Sequence, residues 1–345
     1  MNHEVVKKQN LLDEYGNLKE PGYSKKEVFN YERKQVKVAK WKIKEWDYYF
    51  IGNREFGLCL TMGDNGYVGS LGFTHLDFIN LTEIDNPDII AFPMGKFKLS
   101  NTSSIGNASY KTKNTKIHFD NDGKIRHLYG IRKNFAPGKD LVFDIKLYNE
   151  PEESMYIATP FEKKKHFYYN QKINCLEVDG YYKIGDKVYN LNKENGSMAV
   201  LDWGRGVWTY DNTWYWASLS TYLKDGSKVG FNLGYGFGNT SAASENMIFY
   251  NGKAHKVDLV DFGIPGDNEK NPRYMDKWNF TSSDNRIKLK FKPLYDRNTP
   301  MDFKIIAMLP HQVFGLYSGE LILDDGTIIK INDVLGFAEK VHNKW

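Results

Sequence analysis

Short runs of alternating apolar and polar residues, separated by turn signals, dominate the chain from about Trp41 onward. Successive side chains of a β-strand point to opposite faces, so alternation with a period of two predicts strands. The clearest runs lie at 41–51, 56–62, 67–79 and 141–148. Glycine-containing turn signals separate such runs at hairpin positions, at 64–66, 121–123, 195–196, 225–226, 251–252 and 324–326. The pattern therefore predicts many antiparallel strands joined by tight turns.

Segments with the 3.6-residue period of an amphipathic helix are rare. The modest helix candidates are residues 24–35 of the N-terminal arm and the tail at 333–345. Strands do not alternate with long helices, which argues against a doubly wound α/β sheet. We therefore expect an all-β protein made of antiparallel barrels or sandwiches, with a short C-terminal helical segment.

The length of 345 residues favours two domains. An aromatic cluster, a strand, a glycine turn and a glycine-containing strand follow one another twice, at 46–73 and again at 214–238. Two related β-domains that meet near 190–205 would produce this echo. The expected organisation is an N-terminal arm over 1–35, a first β-barrel domain over 36–197 and a second β-barrel domain, carrying the candidate site, over 198–345.

Composition narrows the functional classes. The chain has 47 Lys and Arg against 43 Asp and Glu and no basic arm, so nucleic-acid binding is not expected. No apolar run approaches the length of a transmembrane helix. Cys59 and Cys175 lie in apolar, strand-like contexts and are expected to be small buried residues in a reducing compartment. No signal peptide is visible, so a cytoplasmic location is expected. Because nucleotide-binding and metal-binding motifs are absent, neither a cofactor nor a metal ion is expected.

The most informative alternation runs over residues 229–238, Val-Gly-Phe-Asn-Leu-Gly-Tyr-Gly-Phe-Gly. It places Phe231, Leu233 and Tyr235 on one face of a strand, and glycines with Asn232 on the other. Glycine weakens a strand, so this face requires an explanation. Either another element packs closely against it, or it lines a ligand cavity into which Asn232 projects.

Two neighbouring segments supply candidate chemistry. Residues 202–208 combine an acid, a base and two indoles. Either Arg205, placed between two glycines, forms a structural clasp with Asp202 and a tryptophan, or Asp202 is a buried acid whose pKa the aromatic surroundings tune. The strand at 213–223 places Trp214 and Trp216 on one face, and Glu245 follows the glycine face. We expect the candidates to line one cavity in the second half of the chain. The catalytic candidates are Asp202 and Glu245, and the substrate-binding candidates are Arg205, Trp208, Trp214, Trp216, Asn232, Tyr235 and Asn246.

These same segments resemble a bacterial family of domains of unknown function, number 2804. The resemblance extends from Leu11-Leu12-Asp13 to Gly336-Phe337-Ala338-Glu339 and includes residues 202–208, 230–236 and 241–246. A more distant similarity is to the lipocalin-like superfamily of carotenoid hydratases and tocopherol cyclases. That similarity implies two lipocalin-like antiparallel β-barrels. In that superfamily a strand that enters the second barrel carries an Asp followed by a Trp-containing motif, which Asp202 to Trp208 resembles. The spacing differs, and Arg205-Gly206 departs from the superfamily pattern.

Two functions fit these residues. The first is a cofactor-independent hydratase, cyclase or isomerase for a hydrophobic small molecule, in which Asp202 is the general acid and tryptophan faces shelter a developing cation. In it, Glu245 and Asn232 orient water or a substrate oxygen. The second is a non-catalytic protein that binds a lipid, an isoprenoid or a glycan. The sequence identifies neither the ligand nor the oligomeric state.

Overall fold

The computed structural model describes residues 2–302 and 307–344. Its regular structure is almost entirely β-strand, as the alternation predicts. Within the described residues, helix is limited to two short 3₁₀ turns, Arg33–Gln35 and Lys40–Lys42. None of these is long and apolar enough to cross a membrane.

The part of the chain that the structure describes contains twenty-six strands, β1 to β26 in chain order. The first sixteen are β1 (Gln9–Asn10), β2 (Gly22–Ser24), β3 (Phe29–Asn30), β4 (Ile43–Gly52), β5 (Phe56–Asp64), β6 (Val68–Asp77), β7 (Thr82–Asp85), β8 (Asp88–Ala91), β9 (Gly106–Lys111), β10 (Thr115–Asn121), β11 (Arg126–Ala136), β12 (Lys139–Tyr148), β13 (Met155–Pro160), β14 (Phe167–Ile184), β15 (Lys187–Leu191) and β16 (Met198–Val207). The remaining ten are β17 (Asp211–Tyr222), β18 (Lys228–Tyr235), β19 (Met247–Tyr250), β20 (Lys253–Lys256), β21 (Val260–Asp261), β22 (Trp278–Ser282), β23 (Ile287–Arg297), β24 (Met301–Asp302), β25 (Ala307–Ile322) and β26 (Ile328–Lys344).

Two large antiparallel sheets, curled and including a half-barrel, contain nearly all of these strands. The larger sheet has the central order β7-β6-β5-β4-β16-β14-β12-β11-β10-β9. The smaller sheet has the order β20-β19-β18-β17-β26-β25-β23-β22-β21. The chain passes from the larger to the smaller sheet between Val207 and Asp211, because β16 pairs with β4 and β14 and β17 pairs with β18 and β26. This transition lies later in the chain than the domain boundary expected from the sequence.

Each sheet encloses its own apolar core, and two further apolar clusters lie between the sheets. The core of the larger sheet includes Tyr169 and Trp203, and that of the smaller sheet includes Phe231 and Trp278. The other two clusters combine residues of both sheets, such as Val200 with Trp216 and Tyr168 with Phe237. The layer between the sheets is therefore partly apolar, and its polar side chains form the candidate site described below.

Five of the six glycine turn signals connect paired neighbouring strands, for example at 225–226 between β17 and β18. Asn195-Gly196 instead joins β15 to β16, which both pair with β14. The expected C-terminal helix is wrong, because residues 328–344 form β26, which pairs with β25 on one side and β17 on the other. Two ladders of hydrogen bonds hold this segment extended. The helix expected at 24–35 is likewise limited to the 3₁₀ turn at Arg33–Gln35.

Candidate functional site

The two faces of β16 point into different environments. Trp203 and Arg205 point into the core of the larger sheet, whereas Asp202 points towards the smaller sheet. Asp202 is directly opposite Lys172 of β14 in the strand register. Lys172 Nζ lies 2.7 Å from Asp202 Oδ1, and the Lys172 side chain is 4% exposed. Asp202 is therefore the counterion of a buried lysine.

Asn170 lies beside this ion pair. Its Nδ2 donates a hydrogen bond of 2.5 Å to Asp202 Oδ1. Its Oδ1 is buried and has no hydrogen-bond partner among the described residues. A buried acceptor without a donor costs free energy, so this atom is suited to a donor from water or a bound molecule.

Trp216 connects the ion pair to the smaller sheet. Lys172 Nζ lies 3.9 Å from the centre of the Trp216 ring, and Trp216 Nε1 donates to Asn232 Oδ1 at 2.7 Å. Asn232 Nδ2 in turn donates to the carboxylate of Glu245 at 3.2 Å and to its backbone oxygen at 2.8 Å. Asn232 thus shares a side of the sheet with Trp216, as the strand alternation predicts.

The glycine face of β18 packs against protein atoms. A Cβ on Gly234 would lie 2.6 Å from Glu245 Oε1, and a Cβ on Gly230 would lie 2.8 Å from Cys175 Sγ. The glycines therefore make room for a carboxylate and for a strand of the larger sheet. Burial raises the pKa of Glu245, while Lys172 and the hydrogen bond from Asn232 act in the opposite direction.

Glu339 of β26 completes the polar cluster. Its Oε1 accepts a hydrogen bond of 2.9 Å from Trp214 Nε1, and its Oε2 accepts one of 3.1 Å from Gln312 Nε2. Burial raises the pKa of Glu339 to about 7, against the lowering effects of the Trp214 hydrogen bond and of Lys172. Asp202 adds to the increase because it is a like charge. A carboxyl group with this pKa populates both protonation states at neutral pH.

Glu339, Lys172 and Asn170 were not predicted from the sequence to be site residues. Glu339 lies directly opposite Trp216 in the register, but the tail was expected to be helical. The alternation of Ile329 and Ile331 with polar residues indicates a strand early in β26, but a register shift between Ile331 and Val334 places Glu339 on the other face from these two isoleucines. Lys172 and Asn170 show no local signal, because their role depends on which strand lies beside β16.

An aromatic cluster adjoins the polar groups. Trp208, Trp214 and Tyr168 surround Phe237, with ring centroids 5.1, 5.4 and 4.9 Å from it. Trp46 stacks on Tyr168 at 6.2 Å and meets Trp208 edge-on at 5.2 Å. Trp208 and Trp214 thus lie together, as expected, and Trp214 links this cluster to Glu339.

Three expected site residues lie elsewhere. Arg205 is fully buried on the opposite face of β16, where it pairs with Asp47 at 2.9 Å. Tyr235 points into the core of the smaller sheet and stacks on Tyr215 at 4.3 Å. Asn246 is bonded to main-chain atoms, accepting from Gly234 N and donating to Asp258 O. Strand alternation is the physical reason for Arg205 and Tyr235, since each is an odd number of residues from the site residue on its own strand.

A cleft of about 200 Å³ opens between the sheets at the Met198 end of β16. Phe50, Val200 and Phe337 supply apolar lining, and Ser218 and Ser220 supply hydroxyl groups. Phe337 also packs edge-on against Trp216, with the ring centroids 4.8 Å apart. The cleft is therefore separated from the polar cluster by aromatic side chains.

Three solved structures are similar to the chain. Kievitone hydratase from Nectria haematococca has 9% sequence identity and a TM-score of 0.48, over 87% of this chain and 88% of its own. A candidate AttH from Nitrosomonas europaea has 12% identity and a TM-score of 0.47, over 88% and 92%. CghA with Sch210972 has 10% identity and a TM-score of 0.43, over 97% of each chain.

No curated protein sequence matches the chain. The model of the family described as "Domain of unknown function (DUF2804)" matches residues 2–345. This match spans the arm, both sheets and every residue of the polar cluster. The chain therefore belongs to the DUF2804 family.

Proposed function

We propose that the polar cluster between the sheets is the acid–base site of a cofactor-independent enzyme that acts on a hydrophobic small molecule. The observation that carries the proposal is the environment of Glu339. This carboxyl group is held by Trp214 and Gln312 and has a pKa of about 7. General acid–base catalysis is most effective when the pKa of the catalytic group lies near the working pH.

The sequence hypothesis made Asp202 the general acid, and the proposal now gives that role to Glu339. Asp202 accepts hydrogen bonds from Lys172 and Asn170, so it serves as an acceptor and counterion. Glu339 donates its proton in one step and accepts one in another, which suits hydration, cyclisation or isomerisation. Glu245, whose pKa burial also raises, is the second carboxyl group of the site.

Asn170 Oδ1 is the proposed acceptor for a substrate hydroxyl group or a reacting water molecule. It is buried, and it lacks a donor among the described residues. The faces of Trp208 and Trp214 are the proposed shelter for a developing positive charge. Trp216 is less suited to this role, because Lys172 already lies over its ring at 3.9 Å.

We further propose that the two sheets are two lipocalin-like barrels, with the second beginning after Val207. Separate buried cores in the two sheets support this division. The free, buried thiols of Cys59 and Cys175 support a reducing compartment such as the cytoplasm.

A second candidate function is binding of a hydrophobic ligand without catalysis. The cleft of about 200 Å³ favours this second function. Phe50, Val200 and Phe337 line the cleft, whereas the carboxyl groups of the polar cluster do not. Aromatic and apolar walls suffice for affinity. In this function the polar cluster holds the sheets together, and the ligand enters only the cleft.

One experiment separates the two functions. Small molecules are extracted from the purified protein, identified by mass spectrometry, and incubated with the parent, with Glu339→Gln and with the control Glu320→Gln on the outer part of β25. We expect the parent and the control to convert the ligand and Glu339→Gln to be slower by about 100-fold or more. Equal conversion by Glu339→Gln contradicts the acid role. A ligand returned unchanged by the parent after long incubation supports binding alone.

A further inference from the structure

One end of the larger sheet exposes a group of large apolar side chains. Five segments meet there, and together we call them the aromatic–lysine rim: residues 40–42, 65–67, 92–98, 163–166 and 208–210. They lie where β4 begins, β5 turns into β6, β14 begins and β16 ends. The exposed side chains are Trp41 at 47%, Phe92 at 58%, Met94 at 39% and Tyr210 at 52%.

Short-range contacts join three of these segments, 40–42, 65–67 and 92–98. The Trp41 and Tyr67 rings lie 6.5 Å apart. The backbone N–H of Phe92 donates to Tyr67 O at 2.9 Å, and that of Met94 donates to Gly66 O at 3.2 Å. Phe92 and Met94 both have positive φ angles, of 49° and 45°, which non-glycine residues seldom adopt. The backbone is thus fixed in a conformation that leaves two apolar side chains in solvent.

Lysines surround the exposed rings. The five segments contain seven lysines and no aspartate or glutamate, although the whole chain has nearly as many acids as bases. Six of these lysines are exposed, and the seventh, Lys42, lies over the Trp41 ring at 5.0 Å. Three acids directly adjoin these segments in the chain. Asp64 accepts hydrogen bonds from two backbone N–H groups, Asp211 is bonded to His342, and Glu162 is exposed. The rim therefore joins an exposed apolar patch to a strong local excess of positive charge.

We propose that the aromatic–lysine rim binds the surface of a lipid bilayer that contains anionic phospholipids. Tryptophan and tyrosine rings favour the headgroup level of a bilayer, and lysines close to the surface are attracted by anionic headgroups. A purely polyanionic partner such as nucleic acid would use the lysines but would leave Phe92 and Met94 in water. A bilayer uses both, because the apolar side chains enter the acyl boundary.

The position of the rim relates it to the polar cluster. Trp208 follows the end of β16 and lies six positions after Asp202, which corresponds to about 20 Å along an extended chain. The aromatic cluster of Trp46, Tyr168, Trp208, Trp214 and Phe237 lies along that distance. A bilayer at the rim would therefore present hydrophobic molecules to the aromatic side of the site. Bilayer binding itself does not depend on the proposed function.

Vesicle co-sedimentation tests the proposal. The full chain is mixed with vesicles of phosphatidylcholine alone or of phosphatidylcholine with 30% phosphatidylserine, at about 0.05 M and about 0.5 M salt. We expect sedimentation with the anionic vesicles at low salt, little with the neutral vesicles, and release at high salt. The triple variant Lys163→Glu, Lys164→Glu, Lys165→Glu is expected to weaken binding by at least about 100-fold. Each lysine near the surface contributes about a fivefold factor in affinity, and the three factors multiply.

Two comparisons make the test specific. The control variant Lys288→Glu, Lys290→Glu, Lys292→Glu makes the same change in net charge on β23 and is expected to bind like the parent. Trp41→Ala with Phe92→Ser is expected to weaken binding and to leave the salt dependence unchanged. Failure of the parent to sediment with anionic vesicles at low salt overturns the proposal. Equal loss in the β23 control, or no effect of the two apolar substitutions, also overturns it, because either result indicates a general polyanion attraction.

Discussion

Strand β16 carries a buried ion pair on each face, and the two pairs differ in how completely their charges are balanced. On one face Arg205 meets Asp47, covers the Trp203 ring at 4.0 Å and donates to the carbonyl oxygens of Trp46, Ser100 and Gly204. On the other face Lys172 lies beside three carboxyl groups, those of Asp202, Glu245 and Glu339. Lys256 acts in addition on Glu245, and Arg297 on Glu339.

The difference teaches which pair is structural. Each nitrogen of the buried Arg205 guanidinium already donates a hydrogen bond within the protein. The Arg205 pair is therefore structural and closes the core of the larger sheet. Three buried carboxyl groups close to one another cannot all ionise without cost, so at least one holds its proton to a higher pH. Glu339, whose pKa is raised, and Asn170, whose Oδ1 has no hydrogen-bond partner among the described residues, both lie on this second side.

The largest effect is expected from breaking the balanced face. Arg205→Met leaves Asp47 buried without a partner and should lower the free energy of unfolding by about 3–5 kcal/mol. Urea denaturation at neutral pH measures the change. The double variant with Asp47→Leu should recover most of the loss, since neither charge then remains. A loss below about 1 kcal/mol in the single variant would show that this pair is not what closes the core.

The next effect depends on pH. The pKa of Glu339 is about 7 in the folded protein and 4.5 ordinarily, so the folded state binds this proton more tightly than the unfolded chain. Its contribution to stability is fully present below pH 4.5 and is lost as the pH rises to about 7. Relative to the parent, Glu339→Gln should therefore gain up to about 3 kcal/mol of unfolding free energy across this range. Denaturation at several pH values tests this, and a constant difference between the two proteins contradicts it.

A smaller effect is expected from the glycine face. Gly234→Ala places a Cβ 2.6 Å from Glu245 Oε1, so the carboxylate must move and the hydrogen bond from Asn232 weakens. We expect a loss of about 1–2 kcal/mol in thermal or urea unfolding. Gly63→Ala on β5 is the matched control, because its Cβ would meet nothing closer than 3.8 Å. Equal losses in the two variants would show that strand propensity, and not the Glu245 contact, determines the result.

Local alternation predicted one half of the site. The period of two in 229–238 correctly placed Asn232 on the side of Trp216 and opposite Tyr235, because this property depends only on neighbouring residues. The same rule, applied to 202–208, would have placed Arg205 away from Asp202. The pattern of charged and aromatic residues at 202–208 instead suggested one cluster.

The other half of the site depends on long-range pairing. Lys172 reaches Asp202 because β14 and β16 are neighbours, and Glu339 reaches Trp214 because the C-terminal strand β26 lies beside β17. Such pairings join residues separated by 30 to 125 positions, as the Lys172–Asp202 and Trp214–Glu339 contacts do. Nothing in the sequence around Glu339 indicates its partner, and the expectation of a helix there concealed the alternation of β26.

Carbon-13 NMR of protein labelled at the glutamate carboxyl carbons tests the central claim most directly, that Glu339 titrates near neutral pH between the two sheets. The parent should show one carboxyl signal with a midpoint at about pH 7, and this signal should be missing from Glu339→Gln. In Lys172→Met the midpoint should move to higher pH, because the lysine charge favours the ionised form. If the Glu339 signal has completed its change by about pH 5, the group is an ordinary carboxylate and the proposed acid–base site is wrong.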